Sequence, residues 1–125
     1  EKYISKYPVY GTCAGLILLS KTIENNKLVR SFEKLDISIK RNAWGRQINS
    51  FISNLKIKEF DKTFKGIFIR APKINKVSLN VDILSSINNS PVMVRQGNLL
   101  GTTFHPELSN DIRIHKYFLS MVESC

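Results

Sequence analysis

Tyr7-Pro8-Val9-Tyr10-Gly11-Thr12-Cys13-Ala14-Gly15-Leu16-Ile17-Leu18-Leu19 reads as a short strand, a tight turn carrying Cys13, and a helix. This is the cysteine form of the G-x-S-x-G nucleophile elbow. Gly11 and Gly15 lack a Cβ, so strand and helix can approach closely around a sharp turn. The turn lifts the thiol clear of the sheet. A helix beginning at Ala14 points its N-terminus at the sulfur, which favours the thiolate. The N–H of Ala14 is placed to donate to an oxyanion. A lone cysteine between glycines in an apolar segment also reads as a packing residue. The elbow therefore needs a partner before it means chemistry.

Leu99-Leu100-Gly101-Thr102-Thr103-Phe104-His105-Pro106-Glu107-Leu108 supplies one. An apolar, β-branched run ends in His-Pro-Glu. Pro106 biases His105 toward extended geometry. In an extended chain, residues two apart project to the same side. His105 and Glu107 then lie side by side at a strand end. The carboxylate can fix the imidazole tautomer and stabilise imidazolium, while the other ring nitrogen faces a thiol. Alone, the segment also reads as a strand-end turn with a solvated His and Glu. Together with an elbow cysteine, it predicts a Cys13–His105–Glu107 triad.

Gly-Thr-Cys-Ala-Gly followed far downstream by Phe-His-Pro-Glu resembles the class I (triad) glutamine amidotransferases. Three further segments narrow the likeness: Arg41-Asn42-Ala43-Trp44-Gly45-Arg46-Gln47, Gly66-Ile67-Phe68-Ile69-Arg70-Ala71-Pro72, and Gln96-Gly97-Asn98 leading to Thr103-Phe104-His105-Pro106-Glu107-Leu108. They are similar to the glutaminase subunits of pyridoxal 5′-phosphate synthase, over essentially the whole chain.

The resemblance implies a three-layer, flavodoxin-like α/β fold with a mostly parallel sheet and flanking helices. It implies hydrolysis of L-glutamine and delivery of ammonia to a barrel-shaped, oligomeric synthase subunit, in the cytoplasm, with weak activity before docking. It places Arg41, Ile69 and Arg70 at glutamine-contacting positions; composition alone makes the arginines solvated surface. In the family an N-terminal half precedes the elbow and carries a Gly-Gly loop with another oxyanion donor. No such loop is seen here. Residues 1–125 are therefore expected to be the C-terminal portion of one amidotransferase domain.

The length of 125 residues suits one domain with a modest core, and 42% hydrophobic content is ordinary for a globular chain. No apolar run spans a membrane, and the first residues do not read as a signal peptide. Two cysteines, Cys13 and Cys125, give no disulfide framework, so a reducing compartment is the default. The net charge of +9 raises the question of nucleic acid. The lysines are scattered without a dense block or aromatic interleaving, so a solvated basic surface or an acidic partner is the better reading, with no nucleic acid and no membrane expected. No metal-ligand spacing and no phosphate-binding glycine loop appears, so no cofactor is expected.

The remaining chain reads as follows. Ala14 to about Ile23 is the elbow helix. Leu35–Lys40 alternates as a strand, and Trp44 is read as core. Ile48–Phe64 holds short strands, and Gly66–Arg70 is a buried strand stopped by Pro72. Val77–Asn89 and Pro91–Arg95 are strands joined by an Asn-Asn-Ser turn. These lead through Gln96-Gly97-Asn98 to the strand that delivers His105. Asp111 onward is an amphipathic helix, capped by Ser109 or Asn110, with Ile114, Tyr117, Phe118, Met121 and Val122 on its apolar face. His115 is packing or surface, and Cys125 is inert chain end.

Alternatives of other kinds are a different class I amidotransferase subunit, a γ-glutamyl hydrolase, or a catalytically incomplete fragment acting as a binding module.

Overall fold

The computed structural model describes residues 8–24, 34–40 and 50–124, with side chains undescribed at 22–24. Arg41 and Trp44, with the positions expected for them, lie outside the described residues, as do residues 1–7 and Cys125.

Strand β1 (Val9–Thr12) runs into the elbow helix, Ala14–Leu19, and then β2 (Ser20–Glu24). The helix is shorter than its sequence reading, which carried it to about Ile23. Ser20 ends it: its backbone turns extended (φ −62°, ψ 151°), and its hydroxyl donates to the Ile17 carbonyl at 2.6 Å, satisfying a helix-end acceptor. The Thr22-Ile23 pair favours a strand once the helix is closed. Strand β2 lies parallel to β3 (Leu35–Lys40), and β3 is antiparallel to β6 (Lys73–Val77), a strand missed by the sequence reading.

Strands β4 (Ser50–Leu55) and β5 (Phe64–Ile69) form an antiparallel hairpin. Strands β7 (Asp82–Ile87), β8 (Ser90–Gln96) and β9 (Leu99–Thr102) form the expected meander. Asn88 and Asn89 join β7 to β8 with φ of 48° and 68°. Asparagine tolerates this left-handed geometry, and a two-residue turn with both φ positive matches hairpin twist. The meander closes onto β1, giving the strand order β1-β9-β8-β7.

Among the described pairs, β1–β9 and β2–β3 are parallel, while β3–β6, β4–β5, β7–β8 and β8–β9 are antiparallel. The expected mostly parallel sheet is thus corrected to mixed sheets with few flanking helices. Connection length accounts for β7–β8 and β8–β9: a two-residue turn can only return a strand antiparallel, whereas the parallel pairs need crossovers.

Successive residues of β1 and β9 feed two cores. Val9 and Leu99 join the elbow helix residues Leu16 and Leu19 and the β3 residues Leu35, Ile37 and Ile39. Tyr10 and Leu100 join Phe64, Phe68, Phe104, Ile114 and Met121. This two-residue alternation places the elbow helix over one face and the last helix, Arg113–Glu123, over the other. Burial of each large side chain contributes roughly 1.5–3 kcal/mol.

In the last helix, Ile114 and Met121 are buried as expected, but Val122 is largely exposed. Its start is held by neither Ser109 nor Asn110 directly. Asp111 Oδ1 accepts the Arg113 N–H at 3.0 Å, and Ser109 Oγ accepts the Asp111 N–H at 3.1 Å. The Arg113 guanidinium also binds Asp111 and donates to the Lys62 and Thr63 carbonyls at 2.8 Å. Among the described residues, no helix is long and apolar enough to cross a membrane.

Candidate active site

Cys13 sits at the junction of β1 and the elbow helix with φ 48° and ψ −102°. Positive φ is costly for a residue with a Cβ and persists only where the surroundings impose it. They do so here. The Cys13 N–H donates to the Thr102 carbonyl at 3.0 Å, and the Cys13 carbonyl accepts the Ile17 N–H at 3.0 Å. The nucleophile position is thereby tied to the end of β9 on one side and to the helix on the other.

The two elbow glycines are not equivalent. A Cβ on Gly11 would lie 2.8 Å from the carbonyl carbon and oxygen of Gly15 and 2.9 Å from the Leu16 nitrogen, all backbone atoms. A Cβ on Gly15 would meet nothing within 4 Å. The close approach expected of both is required of Gly11 alone. Gly101, paired with Gly11 across β1–β9, has a comparable role that the sequence reading missed. A Cβ there would strike Leu16 Cδ1, so its absence lets Leu16 pack down on the sheet.

Beyond β9 the chain enters a turn anchored by Phe104, which is fully buried against the rings of Phe64 and Phe68. His105 follows with φ −108° and ψ 88°, outside the α region that a following proline disfavours. Its N–H donates to the Ile67 carbonyl of β5 at 2.8 Å. Pro106 opens a 3₁₀ turn, Pro106–Leu108, so Glu107 reaches the imidazole from a turn rather than from an extended strand end.

His105 Nε2 lies 3.1 Å from Cys13 Sγ, and His105 Nδ1 lies 2.6 Å from Glu107 Oε2. The three side chains picked out by the sequence therefore form one continuous chain of contacts. The thiol has a second acceptor, the Thr103 carbonyl, also at 3.1 Å. Burial, and then the negative charge of Glu107, push the Cys13 thiol up to about 11. This reverses the expectation of a thiolate favoured by the helix N-terminus. A six-residue helix offers only a weak dipole against these two effects.

A consequence follows for stability. The folded thiol binds its proton more tightly than the ordinary value of 9.0. The associated contribution is complete below pH 9.0 and is lost as pH rises through about 11. Unfolding free energy of the wild type should therefore fall more steeply over that window than that of Cys13→Ala, measured by denaturant titration at matched pH. Parallel curves would contradict the assigned environment of the thiol.

Ala14 is exposed at the first helical position, where its N–H has no intrahelical acceptor. Ile69 ends β5 and Arg70 follows it, just beyond the Ile67–His105 bond. Both are exposed, and Arg70 has φ 44°. The fold thus brings their strand end beside the turn that carries His105. His115 packs edge-on against the Tyr10 ring at 6.3 Å, the packing role read from sequence. Tyr10 itself was missed. Its hydroxyl is buried beside Thr102, and burial raises the phenol well above its usual value. Among the described residues, no group of three His, Cys, Asp or Glu side chains could hold a metal ion.

The SNO glutamine amidotransferase family model matches residues 2–124. The chain belongs to this family. The family's relatives include the pyridoxal 5′-phosphate synthase subunit PdxT of Fervidobacterium nodosum, 53% identical over 123 residues, covering 98% of this chain and 64% of that protein. PdxT of Thermoplasma volcanium is 54% identical over 114 residues, covering 91% and 56%. A crystal structure of a glutamine amidotransferase superposes with a TM-score of 0.91 at 39% identity, covering 98% of this chain and 65% of that one. The chain thus spans between 56% and 65% of the length of these relatives. Family membership bears out the class I glutamine amidotransferase fold expected from the elbow and the His-Pro-Glu turn.

Proposed function

We propose that this chain is the site-bearing part of a pyridoxal 5′-phosphate synthase glutaminase, which converts L-glutamine and water to L-glutamate and ammonia. The observation that carries the reading is the unbroken Cys13 Sγ–His105–Glu107 chain, 3.1 and 2.6 Å, at a strained elbow. Family membership and PdxT relatives at 53% identity support the substrate.

Cys13 Sγ attacks the side-chain amide carbon of glutamine. The thiol proton passes to His105 Nε2, which lies 3.1 Å from the sulfur. Glu107 at Nδ1 balances the imidazolium that forms. The Ala14 N–H donates to the tetrahedral oxyanion, an interaction worth about 3 kcal/mol per donor in well-studied acyl transfer. Collapse of the intermediate expels ammonia, which takes the proton from His105. Water, deprotonated by His105, then attacks the thioester. Glutamate leaves and the thiol is restored.

Arg41, Ile69 and Arg70 are assigned to glutamine binding. A guanidinium offers paired N–H donors that suit the substrate carboxylate. Residues 1–125 belong to one amidotransferase domain. The ammonia passes to a barrel-shaped, oligomeric synthase subunit in the cytoplasm, and docking on that subunit raises activity.

Intact-mass spectrometry after exposure to a glutamine-mimicking electrophile, with and without the synthase subunit, tests the reading. One adduct on Cys13, increased by the synthase, is the expected result. A folded chain that stays unmodified with its partner present would overturn the glutaminase assignment.

A further inference from the structure

The turn from Thr102 to His105 carries more of the site than its imidazole. The Thr102 carbonyl holds the Cys13 N–H at 3.0 Å, and the Thr103 carbonyl faces the Cys13 thiol at 3.1 Å. The turn leaves the β9 ladder after Thr102, so each following peptide needs its own anchor. The Thr103 N–H donates to the Val92 carbonyl at 2.9 Å, and the His105 N–H to the Ile67 carbonyl at 2.8 Å. Between them, the Phe104 carbonyl accepts the Thr102 hydroxyl at 2.9 Å. Thr102, Thr103 and Phe104 are all fully buried. A buried acceptor that loses its donor is costly, and the peptide would rotate toward another one. That peptide directly precedes His105.

We infer that Thr102 is a positioning residue whose hydroxyl, by holding the Phe104 carbonyl, sets the reach of His105 Nε2 to Cys13 Sγ. Thr102 touches no reacting atom. Its backbone fixes the nucleophile's strand end, and its side chain fixes the base's turn. One residue thereby couples the two halves of the site. The inference rests on reading Cys13 and His105 as the reacting pair. It adds a residue that strand propensity alone explains as a β-branched strand former.

The test is the rate of Cys13 alkylation by iodoacetamide at neutral pH, with Cys13→Ala reporting the background from Cys125. Thr102→Val keeps the shape and removes the hydroxyl. It should slow alkylation by about tenfold, because small misplacements of a reacting pair cost this much or more. Thr102→Ser, which keeps the hydroxyl, should retain the wild-type rate.

A Thr102→Val rate equal to that of wild type would overturn the inference, and so would a Thr102→Ser variant as slow as Thr102→Val. If Thr102→Val does not fold, Thr102→Ser and Thr102→Ala, which both lose the methyl, decide the matter by the hydroxyl alone. The separate failure is also visible: a His105→Ala rate equal to that of wild type would refute the Cys13–His105 pairing and the inference with it.

Discussion

Cys13→Ala is expected to reduce glutamine hydrolysis, measured with the synthase partner present, by roughly 10⁴-fold or more while leaving the fold intact. The effect is large because the sulfur is the atom that bonds to substrate. The imidazole and carboxylate serve only to manage its proton. The fold should survive because Cys13 is only half-buried and its backbone, not its thiol, makes the bonds to Thr102 and Ile17. Alanine must still adopt φ 48°, so it inherits the strain without adding a clash. Cys13→Ser is the sharper control. It keeps a nucleophilic atom near His105, but a hydroxyl is a far weaker nucleophile when its proton must be removed by the same base. Ammonia release from either variant at the wild-type rate, with contaminating glutaminase excluded, would sink the assignment of Cys13 as nucleophile.

The second large effect separates the two elbow glycines. Gly11→Ala should cost roughly 1–3 kcal/mol of stability and most of the activity. Its Cβ meets the Gly15 and Leu16 backbone at 2.8–2.9 Å, and backbone cannot rotate away as a side chain can. Relief requires the elbow helix to move off β1, which carries Cys13 away from His105. Gly15→Ala should do the opposite to stability. Its Cβ enters open space, and alanine in a helix is favoured over glycine by roughly 0.5–1 kcal/mol. Thermal unfolding of the two single variants is the measurement. Equal destabilisation by both would mean that the helix lies differently on the sheet than described.

Much of the chemistry was legible in the sequence because it is local or short-range. A sharp strand-to-helix turn needs Gly11 beside it, and a His-Pro-Glu segment restricts its own backbone. These constraints operate within a few residues, so the string of residues records them. The meander was legible for the same reason. Asn88-Asn89 and Gly97-Asn98 permit positive φ, and two-residue turns leave only one way for the next strand to run.

What the sequence left ambiguous was decided by distant partners. The run from Leu16 to Ile23 fits either a long apolar helix or a helix and a strand. The choice fell to β3, which offers β2 a parallel edge, and to the Ser20 hydroxyl that closes the helix. Gly101 and Thr102 look like ordinary strand residues until Leu16 and Phe104 are seen against them. The protonation of Cys13 belongs to the same class. Helix position alone favours thiolate, but burial and the nearby Glu107 carboxylate overrule it. Sequence by itself determined which residues can react. Tertiary structure decided how far apart they sit and what surrounds them, because distance and desolvation are properties of segments that meet only once the chain has folded.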